Sequence, residues 1–536
     1  MYDILIKGGQ IVDGSGEPAF YGDIAIQDGK IARIAPSVEG EAKEVIDASG
    51  LQVTPGFIDS HSHSDRSVFR PGGSGSGSYN YLLQGVTTQV AGQCGSSMAP
   101  YYSGTAHKYS VPPEKQAALE EKTRTPADFM KAAEMVHHGT NVAYFIGHSP
   151  IRGKEVGFTD APATPEQMER MQEHVRNAME AGFLGVSTGL VYAPSVYAKT
   201  EELIELMKAA APYGGMYVSH IRGEGNSCLQ SVKEAIRIGE ESGCSVFISH
   251  IKVMGKRNEG LSEQLLREID EANARGVVTY ADQYPYTASS APLSSQIPAK
   301  YLLGGKDVWM ERIKSPEIRR QIVYFIFNEV DEFESGIYHS GFEGALIITA
   351  GKTPEWQNKT LTEIAKMIGC EPVDALCEVL LANDGSAQGV YFNQNASDMI
   401  RMMAHPMVFC GSDTSDHNKV YDPESLGGGH PRSMGTMVRR LELVRDFRLR
   451  TMEESVKNLT WDTAQALKLP GQGLLKEGWD ANICVLDYDR LHATADYKRP
   501  RGRNQGIHYV LVNGGVALRN GEVLDTRFGK VIKRGT

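Results

Sequence analysis

Three features of the sequence predict an α/β fold: eight short apolar runs alternating with amphipathic stretches, turn-punctuated strand runs at both ends of the chain, and a long interruption before the last apolar run. They imply a closed (β/α)8 TIM-like barrel, a small β-sandwich built from both termini, and an inserted subdomain between strands 7 and 8. The apolar runs are residues 56–60, 87–90, 142–146, 185–188, 216–219, 245–248, 277–280 and 407–410. Residues 165–181 and 201–211, between such runs, carry apolar positions at helical spacing. Alternating β and α units give a parallel sheet, closed in the simplest case; an open doubly wound sheet is the alternative.

The ends of the chain read differently. Residues 2–54 are short strands punctuated by Gly8-Gly9, Asp13-Gly14 and Asp28-Gly29. Asp-Gly between alternating apolar residues is a strong hairpin signal. So small a unit buries too little surface to stand alone comfortably. The same grammar returns at residues 481–486, 508–515 and 520–523. A sandwich of residues 1–54 plus 470–536 is therefore expected around a barrel of residues 55–469, interrupted at about residues 288–345. Residues 95–128 form a second irregular stretch, and loops this long are usually functional or fold as inserted units. The glycine-serine stretch of residues 72–78 falls between a strand and a helix, which reads as a mobile loop rather than a domain boundary.

Composition narrows the function. The 536 residues are too many for one simple core; 41% are hydrophobic and 23% charged, and the formal net charge is -11. That balance argues against nucleic acid or an anionic membrane as the main partner and leaves a small-molecule substrate, acted on by a monomer or small homo-oligomer. The N-terminus has no basic segment leading into an apolar one, and no long apolar run follows, so a cytoplasmic protein is expected. Seven cysteines without a dense framework suit a reducing compartment. Six are expected in the core. Ala350-Gly351-Lys352-Thr353 follows an apolar run as a phosphate loop does, but Leu346 replaces that motif's first glycine.

The chemistry starts at Gly56-Phe57-Ile58-Asp59-Ser60-His61-Ser62-His63. Residues two apart on a strand share a face, so His61 and His63 converge on one point and offer two nitrogen ligands. A barrel places its active residues at the C-terminal strand ends. There the sequence also sets Cys94, His220, His250 and Asp413. Each has a bland reading, an inert packed thiol, core histidines or a helix N-cap, which their joint placement makes a poor account. His107, His137, His138, His148, His174 and His405 lack this company and are read as structural.

Thr54-Pro55-Gly56-Phe57-Ile58-Asp59-Ser60-His61-Ser62-His63, Gln84-Gly85-Val86-Thr87-Thr88, Gly92-Gln93-Cys94-Gly95, Ser219-His220, Ser249-His250-Ile251-Lys252, Gly411-Ser412-Asp413 and His430-Pro431-Arg432 together resemble the amidohydrolase superfamily. Within it they are similar to the N-acyl-D-amino-acid deacylases, or D-aminoacylases. Many amidohydrolases bridge two metals with a carboxylated lysine on strand four, but residues 186–190 contain no lysine; the resembling family uses a cysteine thiolate. The resemblance implies a zinc hydrolase of linear amide bonds. Cys94, His220 and His250 would hold one tight Zn2+, His61 and His63 a second, weaker position, and Asp413 would be both metal-competent and the proton carrier. It further implies that Tyr192, Lys252, Tyr284 and Arg432 meet the substrate's α-carboxylate. Family members specific for acidic side chains carry an extra arginine downstream of the Tyr-Pro-Tyr segment; residues 289–297 have none, which favours a neutral or apolar side chain. The charged loop of residues 416–422 is longer than the family's usual one and bears on the aim of Arg432. The alternatives are a cyclic-amide hydrolase of dihydroorotase or hydantoinase type and a non-catalytic scaffold.

Overall fold

The computed structural model describes residues 1–69, 77–102, 113–330, 333, 335–417 and 428–535. Most of the glycine-serine stretch of residues 72–78, part of the 95–128 region including His107, and most of the charged loop of residues 416–422 lie outside the described residues. The chain opens with β1 (Tyr2–Ile11), β2 (Phe20–Gln27), β3 (Lys30–Ala35), β4 (Ala42–Asp47) and β5 (Gln52–Pro55). The β2–β3 turn is Asp28-Gly29, with φ of 51° and 75°. A type I′ turn requires two positive values, which is why Asp-Gly marks it.

The barrel strands follow: β6 (Phe57–Asp59), β7 (Val86–Ala91), β8 (Asn141–Tyr144) continued by β9 (Ile146–Gly147), β10 (Gly185–Gly189), β11 (Met216–His220), β12 (Ser245–Ile248) and β13 (Thr279–Gln283). They form two parallel arcs, joined because β8 and β9 are one stretch of chain interrupted at Phe145, whose N–H donates to Ala91 O at 2.9 Å. Between β13 and the eighth strand lie β14 (Ser289–Pro292), β15 (Ala345–Thr349), β16 (Lys359–Thr360) and β17 (Gln388–Tyr391), an antiparallel sheet of their own. The eighth strand, β18 (Val408–Cys410), pairs with β13 and meets β6. Ser60 N–H donates to Cys410 O at 3.2 Å and Asp413 N–H to His61 O at 2.9 Å. The ring is closed, as predicted, and the open alternative is excluded.

Both faces of this sheet are buried. Inside lie Ile58, Val90, Phe145, Leu184, Met216, Val218, Phe247 and Phe409; outside, Tyr144, Val186, Tyr217, Val246 and Val408 pack under the helices. Double burial explains the unbroken apolar runs. The helix Pro165–Ala181 falls where its periodicity placed it, started by a capping box between Thr164 and Gln167 and stopped by Gly182 in the left-handed region.

β19 (Ile483–Leu486), β20 (Ile507–Val512), β21 (Gly515–Arg519) and β22 (Glu522–Val523) close the chain. β19 pairs with β5, so both termini enter one nine-stranded sheet. Ile4, Ile6, Ile24, Ile26 and Ile46 from one end and Ile483, Val485 and Leu511 from the other share its core.

The inserted sheet runs on to Tyr391, past the expected limit at residue 345, which falls on its strand β15. Its helices Leu361–Ile368 and Pro372–Ala382 have the periodicity of barrel helices, so only strand pairing separates them from the barrel. The insertion has a core of its own, with Ile322, Ile347, Leu376 and Leu380 fully buried. Ile347→Ala should therefore cost about 2–5 kcal/mol in denaturant unfolding. Metal content of the folded variant should stay at the wild-type level. Five of the six cysteines expected in the core are buried; Cys370, just after a helix, is half-exposed. No helix among the described residues is long and apolar enough to cross a membrane.

Candidate active site

The strand ends bring the predicted residues together at one rim. Cys94, His250 and Asp413 all have positive φ, at 52°, 35° and 50°. Such backbones cost on the order of 1–3 kcal/mol each and persist only where the surroundings impose them. Two buried carboxylates do so here. Asp59 accepts His61 N–H at 3.0 Å and Ser412 N–H at 2.9 Å, and also the Ser412 hydroxyl, binding the end of β6 to the end of β18. Asp282 accepts His250 N–H and, at 2.9 Å, the Ser60 hydroxyl, and lies 3.4 Å from His61 Nδ1. Gly95 completes the Cys94 turn: a Cβ there would sit 2.6 Å from the backbone nitrogen of Gly189 on β10.

The donor atoms converge. Cys94 Sγ is 3.3 Å from both His61 Nε2 and His250 Nε2. Asp413 Oδ1 is 2.9 Å from His63 Nε2 and 3.5 Å from His61 Nε2. His61, Cys94, His250 and Asp413 each place a ligand atom within 4.8 Å of the others. His220, Glu224 and His250 form a second such group, with the rings of His220 and His250 4.4 Å apart. Cys94 thus lies against His61 and His250, and His220 stands between Cys94 and Glu224.

Charge follows geometry. Burial opposes ionisation of Cys94, but His61 and His250 outweigh it and hold the thiol well below its usual range. Burial likewise works against Asp413, which Arg432, His250 and His63 keep ionised. His63 resists burial through Asp413 and Cys94 and is pushed up to about 9.

Beside this rim stand the residues expected to read a carboxylate. Arg432 Nη1 lies 2.7 Å from Asp413 Oδ2. Its guanidinium carbon is 4.9 Å from the centre of the Tyr284 ring, and Lys252 Nζ is 5.7 Å from the same centre. Gln394 Nε2 donates to the Tyr284 hydroxyl at 3.0 Å. Tyr192 packs edge-on against His220, ring centres 5.0 Å apart. The Arg432 N–H donates to His430 Nδ1 and His430 Nε2 donates to Ala288 O, both at 3.0 Å, so His430 is a neutral brace. Four of the histidines read as structural have structural partners: His138 bonds Ala133 O, His148 bonds Ser195, and His174 and His405 pair with Glu155 and Asp270.

Sequence reasoning passed over Asp59, Asp282 and Glu224. Asp59 lay inside the quoted motif but was read as strand. Asp282 is the penultimate residue of a strand whose apolar run stops two residues earlier, and Glu224 follows His220 by four residues on a loop, where spacing carries no direction.

The rim suits a divalent metal. A thiolate held in its charged form, imidazoles and a carboxylate converge, and His220 Nδ1 is buried with no hydrogen-bond partner among the described residues. A parallel barrel carrying such donors on its strand ends defines a class, the metal-dependent barrel hydrolases. The amidohydrolase family model matches residues 44–282 and 340–517. The D-aminoacylase of Alcaligenes xylosoxydans xylosoxydans is 31% identical over 99% of this chain and 98% of its own. The N-acyl-D-glutamate deacylase of that organism is 31% identical over 96% and 93%. The N-acyl-D-glutamate deacylase of Bordetella bronchiseptica, solved with zinc and a phosphonate mimic of the tetrahedral intermediate, is 30% identical over 99% of both chains, with a TM-score of 0.80. The chain belongs to the amidohydrolase family and, within it, to the N-acyl-D-amino-acid deacylases. A solved L-hydantoinase from Arthrobacter aurescens, 15% identical with a TM-score of 0.58, shares the fold alone.

Proposed function

We propose that the protein hydrolyses the amide bond of N-acyl-D-amino acids at a zinc centre, releasing a carboxylate and the free D-amino acid. The observation that carries this reading is Cys94 Sγ set 3.3 Å from two imidazoles on a barrel whose fourth strand, β10, has no lysine. Cys94, His220 and His250 would hold a tight ion, and His61 with His63 a weaker one; a thiolate equidistant from His61 and His250 suits a ligand shared between two positions. When bound, zinc lowers the pKa of water and polarises the acyl carbonyl. Asp413 takes the proton of the attacking water on Oδ1 and returns it to the leaving nitrogen, while Arg432 holds Oδ2. The α-carboxylate is read by Arg432, Lys252, Tyr192 and Tyr284. Arg432 has five donors, and its contact with Asp413 is an ion pair in which Nη1 makes no hydrogen bond among the described residues, so donors remain for substrate. Residues 289–297, on and after β14, offer no arginine, which supports a neutral or apolar side chain.

The test is a panel of N-acyl-D- and L-amino acids scored for free amine, beside dihydroorotate and hydantoin. Cleavage of D acids alone is expected; turnover of the cyclic amides instead would overturn the reading. Arg432→Met should cost the D acid roughly 1.5–3 kcal/mol in kcat/KM, the worth of a hydrogen bond to a charged group. The corresponding α-amide, which lacks the anion, should start low and lose less than the acid, by only what the hold of Arg432 on Asp413 contributes. Equal losses on acid and amide would show that Arg432 serves Asp413 and not the substrate.

A further inference from the structure

Glu224 lies on the loop after β11, buried, and grips the segment after β12 twice. Its backbone carbonyl accepts Met254 N–H at 2.8 Å. One side-chain oxygen, Oε1, takes the Lys252 ammonium and lies 3.1 Å from His250 Nδ1, with Lys252 Nζ itself 2.7 Å from that nitrogen. The other oxygen is 3.7 Å from His220 Nε2, beyond a hydrogen bond. Lys252 carries its charge on a flexible four-carbon stem, whose direction must be supplied from outside. Among the described residues, Glu224 is its only ion-pair partner.

We propose that Glu224 is a positioning residue that aims the Lys252 ammonium at the substrate carboxylate and ties it to His250, so that anion recognition and the metal-ligand ring share one carboxylate. This rests on the deacylase reading. Two arguments favour it over a direct ligand role for Glu224. Oε1 is already taken by the Lys252 ammonium. Lys252 and Arg432 flank the same Tyr284 ring, so the head that Glu224 fixes lies on the recognition side of the rim. A buried ammonium beside His250 would also lack a counter-charge without Glu224.

The experiment compares kcat/KM on an N-acyl-D-amino acid and on its α-amide, with zinc measured in each preparation, for wild type, Glu224→Gln, Lys252→Met and the double variant. Glu224→Gln should keep wild-type zinc and lose roughly 10- to 100-fold of the preference for acid over amide, as expected when a charge-assisted contact loses its aim. The double variant should lose no more of that preference than Lys252→Met alone, because the two act through one contact. Glu224→Asp, which keeps the charge but withdraws it by one methylene, should fall between and serves if the glutamine variant does not fold. An unchanged preference in zinc-replete Glu224→Gln, or losses that add in the double variant, would overturn the proposal. Zinc loss in Glu224→Gln would place Glu224 in the ligand set and overturn it equally. Absence of any acid preference in the wild type defeats the deacylase reading first, and is seen before any variant is made.

Discussion

Asp413→Asn is expected to retain its metal and lose about 10²- to 10⁴-fold in kcat, the usual worth of positioned acid-base help. The substitution keeps size and one oxygen, so the clamp that Asp59 places on Ser412 and the backbone bond from Asp413 N–H to His61 O survive. What disappears is the ability to accept a proton. The structure also assigns a second loss. Arg432 and His63 both lie against this carboxylate, at 2.7 and 2.9 Å, and an amide leaves a buried guanidinium without its counter-charge. KM for the acid substrate should therefore shift as well, because the group that reads the substrate is released from its aim. Elemental analysis and steady-state kinetics on the same preparation separate the cases: metal-replete protein with kcat within tenfold of wild type would remove Asp413 as the proton carrier.

The barrel was legible in the sequence because parallel strands buried on both faces write themselves as short unbroken apolar runs, such as Val142 to Ile146, and these alternate with amphipathic helical stretches. The hairpin of Asp28-Gly29 was legible for a local reason, two consecutive positive φ values. The insertion's far boundary was not, since the helix Pro372–Ala382 looks alike whether it covers the barrel or the inserted sheet. At the rim, side chains carried by strand ends could be placed from spacing alone. Those whose position depends on a fold-back could not: Glu224 reaches Lys252 across 28 residues, and Asp282 meets Ser60 across 222. Arg432 was assigned to substrate, and only the three-dimensional arrangement shows that it also holds Asp413.

Cys94→Ala should abolish the tight metal site and with it nearly all activity, the larger of the two effects. Cys94 is not one more packed thiol. Burial pushes the thiols of Cys410 and Cys484 up, so both remain protonated in apolar surroundings. The same burial acts on Cys94, and the imidazoles of His61 and His250 overcome it. The backbone adds to the contrast, because a left-handed residue followed by a glycine pressed against Gly189 aims Sγ into the rim at a conformational cost that packing alone would not need. Replacing even an outer partner of a metal ligand typically costs 10- to 100-fold in affinity, and removal of a thiolate ligand should exceed about 10²-fold. Cys410→Ala is the matched control: it removes a buried sulfur of the same size from β18, and should cost stability without touching metal content. Zinc per chain after dialysis against a weak chelator reads both. Cys94→Ala protein that keeps a full equivalent of zinc and turns over would show that the imidazoles and Asp413 suffice, and would move the shared-ligand role from the thiolate to Asp413.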